Sequence, residues 1–362
     1  MDSQRKTQTF WRKAFVVGAA VLTAATIAQA QVPPDIAAQL RAIGTGVCVP
    51  ETAKIYRPLQ PKAPYPGVTV ARDISYAPDP RTIMDVFAPE KGGGDRPVLI
   101  YVSGGAGDKI VSGPDGDAFY DNIMLWAVKN GMTGVNMQRR GGFGGGGLAW
   151  DEPAKDVGLV VDWVRKNITK YEGNPNRIFL WADSAGNGPV STYAAHPEIS
   201  GANGAAVKGI VLMSSPNFNI LPETVPATPR GAAAPAAGGG LGTNCGRPAG
   251  EARGGRQGGV GAGRGIAGGA APAPVDPATQ LARSNLQGLA NGKIAVFLGW
   301  GELDPPNIIT FDETLKNALC KAGRCPTTEF FKDHSHVSLV FSPNTADDSV
   351  TGPILKWMKS VK

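Results

Sequence analysis

The stretch that decides the fold is Arg177-Ile178-Phe179-Leu180-Trp181-Ala182-Asp183-Ser184-Ala185-Gly186. It reads as a short apolar strand that ends in Asp-Ser-Ala-Gly, and residues 187–195 follow with helical character. A serine on a tight strand-to-helix turn has a strained backbone, so the residues two before and two after it must be small. Ala182 and Gly186 meet that requirement. The stretch therefore predicts a sharp turn that presents Ser184 at the N-terminus of a helix.

This arrangement is the nucleophile-elbow pattern, in which the turn aims the amide of Ala185 at a reacting carbonyl. The usual pattern has glycine at the position of Ala182, and alanine is a small-for-small change. The alternative is that a strand simply meets a helix at a small-residue turn, because short motifs also match by chance. Other parts of the chain decide between these interpretations.

The N-terminus has the order of a secretory signal peptide. Four basic residues, at positions 5, 6, 12 and 13, come first. An apolar run, residues 14–28, follows them, and the leader ends in Ala28-Gln29-Ala30. That run has about 15 residues, whereas a membrane-spanning helix needs roughly 20. We therefore expect residues 1–30 to be removed before Gln31. The mature protein is expected to be secreted or periplasmic, with no stable membrane anchor.

The positive charge lies largely outside the expected folded body. The full chain has a formal net charge of +6, and removal of residues 1–30, with four basic residues and one acidic residue, leaves +3. Residues 230–264 hold five arginines against Glu251, which leaves the remainder near −1. A folded body near neutrality gives no support for nucleic-acid binding.

Four cysteines remain after the leader, and an even number in an exported protein predicts disulfides. Cys320 and Cys325 are close in sequence and form the favoured pair, which leaves Cys48 with Cys245. The cysteine spacing matches no zinc site, and we expect neither a metal nor an organic cofactor.

Three segments follow from composition. Residues 31–66 are dotted with proline and are expected to be an irregular extension, whereas residues 67–362 form the main domain. Inside that domain, residues 224–277 are a low-complexity insertion, since 16 of the 40 residues from 231 to 270 are glycine. Such a segment cannot bury enough apolar surface to offset its ordering entropy. We expect the insertion to be disordered and to emerge beside the pocket, where it could act as a loose lid.

Strand patterns alternate with helical ones in the main domain, which predicts an α/β fold with a mostly parallel central sheet and helices on both faces. Ligands bind such sheets at the carboxyl ends of the strands. The polar or glycine-rich segments that fall at this edge are Ser103-Gly104-Gly105, Ser184, Asp304, His334 and His336. Their shared edge favours a chemical role for Ser184.

Serine-dependent hydrolysis needs a base, a carboxylate that orients the base, and donors for the oxyanion. The chain order serine, acid, histidine is that of the α/β-hydrolases, and residues 67–362 resemble that fold. Within it, the chain resembles microbial esterases of the hormone-sensitive-lipase and feruloyl-esterase-like groups. The segments that carry the resemblance are Asp85-Val86-Phe87-Ala88-Pro89, Pro97 to Gly105, Trp163 to Arg177, the elbow, and Gly301 to Asp304.

The resemblance implies a serine carboxylesterase with Ser184 as nucleophile and Asp304 as acid, and Glu302 is the rival carboxylate. The implied oxyanion donors are the amides of Gly105, Ala106 and Ala185. Such families usually carry His-Gly-Gly before the oxyanion hole, so Ser103 would replace that histidine as a hydrogen-bonding group. Asp183 is expected to point away from Ser184.

The base is His336 or His334. In the resembled esterases with a His-x-His ending, the base is the histidine followed by an apolar residue, and His336 precedes Val337. His334 directly follows Asp333, where a loop-shaping contact is the simpler explanation. The prediction is therefore His336, with His334 as the alternative.

The predicted function is hydrolysis of a small-molecule carboxylic ester through an acyl-serine intermediate. Two alternatives stay open: a serine peptidase on the same fold, and a binding protein that keeps the fold without activity. A complete set of serine, acid and histidine favours an enzyme, because an abandoned site has no chemical reason to keep all three.

Overall fold

The computed structural model describes residues 31–141, 148–201, 204–215, 245 and 276–362. Its strands are β1 (Val68–Ser75), β2 (Ile83–Pro89), β3 (Arg96–Val102), β4 (Thr133–Met137), β5 (Gly173–Asp183), β6 (Gly209–Met213), β7 (Ala295–Leu303) and β8 (Thr327–Ser335). They form one sheet in the order β1-β2-β4-β3-β5-β6-β7-β8. β2 pairs antiparallel with both neighbours, and the other pairings are parallel. The predicted fold class is therefore confirmed.

Two α-helices of the described residues precede β1, and the others lie between or after the strands. They are α1 (Pro34–Ile43), α2 (Val49–Tyr56), α3 (Asp121–Lys129), α4 (Glu152–Asn167), α5 (Asn187–Ala195), α6 (Pro197–Ser200), α7 (Pro277–Arg283), α8 (Leu286–Asn291), α9 (Pro306–Lys321), α10 (Ser338–Phe341) and α11 (Thr351–Ser360). None of them has the length and apolar character that a membrane-crossing helix needs.

Both faces of the sheet are buried, which is why the central strands read as continuous apolar runs. Side chains alternate along β5, so Phe179 and Trp181 face one layer while Leu180 and Ala182 face the other. The first layer contains α1, α2, α3, α10 and α11, and the second contains α4, α5, α8 and α9. The sheet is thus the middle layer of a three-layer structure, and its strand β5 leads directly into the elbow.

The N-terminal extension is not irregular as predicted, because residues 34–59 form α1, α2 and a short 3₁₀ helix. Prolines stand in the first turn of α1 and α2, where the missing N–H would have no intrahelical partner. In α1, Ile36 and Leu40 lie one turn apart and are both buried against the main domain. The prolines therefore mark helix starts rather than breaks.

Two cysteine pairs lie at disulfide distance, Cys48 with Cys245 and Cys320 with Cys325, as the sequence predicted. The expected signal peptide, residues 1–30, lies outside the described residues. So does the expected insertion, residues 224–277, apart from Cys245 and its last two residues.

Candidate active site

Ser184 lies at the sharp turn between β5 and α5, with a φ of +50°. This left-handed conformation is unfavourable for a residue with a side chain and persists only where the surroundings hold it. At Gly186 an added Cβ would lie 2.2 Å from the carbonyl oxygen of Val102, so no other residue fits. The methyl group of Ala182 is accommodated with full burial. The two small positions of the elbow are therefore not equivalent, since the second alone requires glycine.

Asn187 joins the elbow to the end of β6. Its side-chain amide donates to the carbonyl oxygens of Ser184 at 2.8 Å and Met213 at 2.7 Å, and its side-chain oxygen accepts from the Met213 amide at 3.0 Å. The side chain is fully buried, so these bonds are not shared with solvent. Sequence reasoning missed this residue, because its importance depends on β6, which lies more than twenty residues further along the chain.

Asp304 and His336 form a buried pair at the carboxyl ends of β7 and β8. The distance between His336 Nδ1 and Asp304 Oδ1 is 2.7 Å. The second carboxylate oxygen accepts from Ser214 Oγ at 2.5 Å and from the Gly301 amide at 2.7 Å. Both oxygens of Asp304 are therefore occupied, which fixes the carboxylate plane and the ring that it holds.

The electrostatics of His336 favour its protonated form despite burial. Burial lowers the pKa of His336, but the hydrogen bond and charge of Asp304, with a further contribution from Asp183, outweigh it and leave the pKa raised. Its Nε2 is buried and has no hydrogen-bond partner among the described residues. The ring is thus oriented through one nitrogen, while the other is free to exchange a proton.

His334 has a different environment. Its ring nitrogens lie 2.9 Å from Ser338 Oγ and 2.7 Å from Ser349 Oγ, and the side chain is fully buried. Burial lowers the pKa of His334 to about 4, so the ring is neutral near pH 7. The rival acid Glu302 is exposed and accepts a hydrogen bond from the Asp333 amide at 2.8 Å. The structure therefore brings Asp304 to His336 and leaves His334 and Glu302 in other contacts.

The loop after β3 lies against the elbow. The Gly107 amide donates to the Gly104 carbonyl at 3.0 Å, which closes a turn with Gly105, at φ +53°, and Ala106 at its corner. A Cβ added to Gly104 would lie 2.7 Å from Ser184 Cβ, so only glycine allows this approach. The loop that carries two of the predicted oxyanion donors is therefore packed beside the serine, and Ala185 directly follows that serine.

Ser103 shapes this loop, as the sequence predicted for the residue in the place of the usual histidine. Its hydroxyl donates to the Asp108 carbonyl at 2.7 Å, and its carbonyl accepts from the Arg139 guanidinium at 3.3 Å. The side chain is 1 % exposed, so the hydrogen bond is an internal one. Ser103 therefore closes the loop through an internal hydrogen bond.

Asp183 is a member of the site that sequence reasoning did not identify. Its Oδ2 lies 3.3 Å from the point where a Gly104 Cβ would stand, so its carboxylate and the Ser184 side chain border the same glycine. Oδ1 is buried without a hydrogen-bond partner among the described residues. Burial raises the pKa of Asp183, His336 lowers it and the negative charge of Asp304 raises it, and the net result is a pKa of about 7. A second carboxyl group therefore lies within the electrostatic reach of the pair.

Comparison with protein families gives a match to the carboxylesterase family over residues 83–224. Among curated proteins, the chain is 25% identical to human bile salt-activated lipase over 170 residues, which cover 41% of this chain and 22% of that protein. It is 29% identical to para-nitrobenzyl esterase of Bacillus subtilis over 140 residues, which cover 35% of this chain and 28% of that one. The chain therefore spans about a quarter of the length of these relatives.

The whole described structure resembles solved esterase structures. Esterase B of Lactobacillus rhamnosis superposes with a TM-score of 0.59 and 15% identity, covering 90% of this chain and 96% of that one. At this level of identity the likeness concerns the fold. The chain thus has the α/β-hydrolase fold found in esterases, and its central segment, residues 83–224, matches the carboxylesterase family.

Proposed function

We propose that the protein hydrolyses carboxylic esters through an acyl-serine intermediate, with Ser184 as nucleophile, His336 as base and Asp304 as the acid. The observation that carries the proposal is the 2.7 Å contact between His336 Nδ1 and Asp304 Oδ1 at the sheet edge where the strained serine also lies. The match of residues 83–224 to carboxylesterases and the names of the relatives support an ester over other substrates.

In this scheme, His336 accepts the Ser184 hydroxyl proton through Nε2 as Oγ attacks the ester carbonyl carbon. Asp304 keeps the Nδ1 proton directed at its own oxygen and stabilises the imidazolium. The amides of Gly105, Ala106 and Ala185 donate to the oxyanion of the tetrahedral intermediate. His336 then protonates the departing alcohol, and a water molecule activated by the same nitrogen releases the acid.

The test is the turnover of a short-chain p-nitrophenyl ester together with labelling by a fluorophosphonate. Ser184→Ala is expected to fold normally and to lose turnover by at least about 1,000-fold, with no labelling. Ser75→Ala is the matched control, because this exposed serine lies on the edge strand β1 and its hydroxyl donates to the nearby Ala77 carbonyl.

The outcomes separate the functions considered. Ser184-dependent labelling together with Ser184-dependent cleavage of peptide amides would favour a serine peptidase, whereas cleavage of esters without cleavage of amides supports an esterase. Absence of both labelling and turnover in the folded parent would favour a binding protein. Turnover that survives in Ser184→Ala, in protein free of contaminating esterase, would contradict the mechanism.

We further infer that the protein is exported after removal of residues 1–30. The inference is supported by the order of basic, apolar and small residues in that segment and by the two cysteine pairs at disulfide distance. Mass spectrometry of the mature protein from the periplasm or medium should give Gln31 as its first residue, whereas an intact N-terminus would contradict export by cleavage.

A further inference from the structure

The segment that carries His336, residues 333–343, is held by the N-terminal extension at both of its ends. Arg41 in α1 forms an ion pair with Asp333, three residues before His336. Gln60, which follows the short 3₁₀ helix, donates from its side-chain amide to the carbonyl oxygens of Phe341 at 3.1 Å and Pro343 at 2.9 Å. The N-terminal extension thus contacts the chain both before and after His336.

Residues inside the 333–343 segment are hydrogen-bonded to one another. Ser338 Oγ accepts from the Ser335 amide at 2.8 Å and donates to the Ser335 carbonyl at 3.0 Å, which closes the turn that contains His336. His334 adds its bonds to Ser338 and Ser349. The turn is therefore compact. Its first residues, up to Ser335, belong to β8. Its far end is placed by contacts from outside it, which include bonds from the Asn122 side chain of α3 to the carbonyl oxygens of Val340, Phe341 and Pro343 at 2.9, 3.4 and 3.2 Å.

Of the two contacts that the N-terminal extension makes with this segment, the contact of Gln60 is the better protected from solvent. Its side chain is 7 % exposed, and it bonds carbonyls at the end of α10, where helical carbonyl groups have no intrahelical partner. Both carbonyls also accept from Asn122, so loss of the Gln60 bonds leaves them with one side-chain donor each and less complete hydrogen bonding in a buried place. Asn344 returns a bond to the Gln60 side-chain oxygen at 3.3 Å, which sets the amide orientation. Arg41 is half exposed, and such surface ion pairs contribute less.

We propose that the N-terminal extension, through Gln60 with support from Arg41, is a positioning element for the base His336. The inference rests on the proposed function for its catalytic consequence. An error of about 1 Å in the place of a reacting group can cost roughly 100-fold in rate, and substrate binding does not depend on that group in the same way. Loss of the Gln60 contact should therefore lower kcat and leave KM little changed.

The test variant is Gln60→Glu, which keeps the shape of the side chain and replaces the donor by an oxygen that faces two carbonyl oxygens. Arg41→Ala is the second variant, with Arg41→Lys as the conservative replacement that should restore activity. Arg57→Ala is the matched control, because Arg57 belongs to the same extension but pairs with Asp117 outside the 333–343 segment. The measurements are kcat and KM on an activated ester, and amide hydrogen exchange of residues 333–343 in the full chain.

For Gln60→Glu we expect kcat to fall by about 10-fold or more with KM within about twofold, and exchange in 333–343 to become faster. Arg41→Ala should show the same pattern with a smaller loss, and Arg57→Ala should match the parent. Unchanged kcat and exchange in folded Gln60→Glu, or an equal loss in Arg57→Ala, would overturn the proposal. If Gln60→Glu does not fold, an Arg41→Ala variant with parental kcat and exchange would overturn it.

Hydrogen exchange separates this proposal from the proposed function, since it needs no substrate. A parent protein without ester turnover would contradict the function, while faster exchange in Gln60→Glu would still support the contact's role in holding the segment. A parent with Ser184-dependent turnover and unchanged exchange in the variants would contradict the positioning role alone.

Discussion

His336 is bonded to Asp304 through one ring nitrogen only: Nδ1 lies 2.7 Å from Asp304 Oδ1, while Nε2 is buried without a hydrogen-bond partner among the described residues. A histidine that served only to pack the core would be expected to satisfy both nitrogens, as His334 does with Ser338 and Ser349. The contrast between two histidines separated by one residue gives the first prediction.

His336→Ala should match Ser184→Ala in its loss of ester turnover, because the members of a triad act as a unit. His334→Ala should keep at least roughly a tenth of parental turnover, since its contacts shape the turn. Its main cost should be to stability, because it leaves a cavity in the place of a fully buried imidazole and removes the bonds to Ser338 and Ser349. Both variants are assayed at saturating substrate, and thermal unfolding is measured alongside. A loss at His334 as large as that of Ser184→Ala would contradict the assignment of the base.

Asp183 should influence the pH dependence of the reaction. His336 acts as a base only when neutral, and the negative charges of Asp304 and Asp183 raise its pKa. Asp183→Asn removes the charge that Asp183 carries above its pKa of about 7, without changing the shape of the side chain. We therefore expect the acidic limb of kcat/KM to move to lower pH in this variant, and the pH profile measures the shift. A limb that stays in place would show that Asp183 has no electrostatic effect on the base.

The same variant should change how stability depends on pH. The pKa of Asp183 is about 7 in the folded protein against an ordinary value of 3.8, so the folded state binds more protons than the unfolded chain between these values. The stability of the parent should therefore fall as pH rises through this window. Asp183→Asn lacks this loss and should be more stable at pH 8 by on the order of 1–4 kcal/mol, with little difference near pH 4. Melting curves from pH 4 to pH 8 test this, and a constant difference between the two proteins would contradict it.

Ser214 should contribute to turnover without touching the substrate. Its hydroxyl donates to Asp304 Oδ2, and removal leaves that oxygen with the Gly301 amide as its remaining donor. Ser214→Ala is expected to lower kcat by about 10-fold, because the carboxylate is held less firmly. If kcat stays at the parental value in Ser214→Ala, the orientation of Asp304 does not depend on this bond.

Gly186, which directly precedes α5, and Gly188, which lies in α5, should respond in opposite ways to substitution by alanine. Gly186→Ala would bring a Cβ within 2.2 Å of the Val102 carbonyl oxygen, and backbone must move to relieve the contact. We expect a loss of several kcal/mol in the free energy of unfolding, of the order seen for overpacked cores. At Gly188 an added Cβ meets nothing within 4 Å, so Gly188→Ala should be neutral or stabilising by up to about 1 kcal/mol. Equal melting temperatures for the two variants would contradict this account of the elbow.

The sequence predicted the parts of the fold that depend on local pattern. Buried parallel strands are continuous apolar runs, and their alternation with helical segments predicted the mostly parallel sheet that the structure has. The elbow was visible because its steric demand falls on fixed positions around Ser184. Proline in the extension was misleading, since the same residue breaks a helix interior and starts a helix.

What the sequence could not predict is contact between distant parts of the chain. Ser214 and Asp304 are 90 residues apart, and Gln60 and Phe341 are 281 apart. Such contacts leave no periodicity in the sequence. Asp183 was expected only to point away from Ser184, and its electrostatic role was not predicted, because that role depends on the loop at Gly104 and on His336, neither of which is its neighbour along the chain. The candidate residues were thus predictable from motif spacing, and the groups that support them were not.

The bond between Cys48 and Cys245 divides the chain into a covalent ring and a tail. The ring contains β1 to β6 and therefore Ser184, whereas β7 and β8, with Asp304 and His336, follow after the ring closes. The second bond, Cys320 to Cys325, lies wholly in the tail. A single backbone cut between residues 246 and 275 would consequently yield two polypeptides with no covalent bond between them. One would hold the nucleophile and the other the acid and base, joined through the pairing of β6 with β7 and the packing around it.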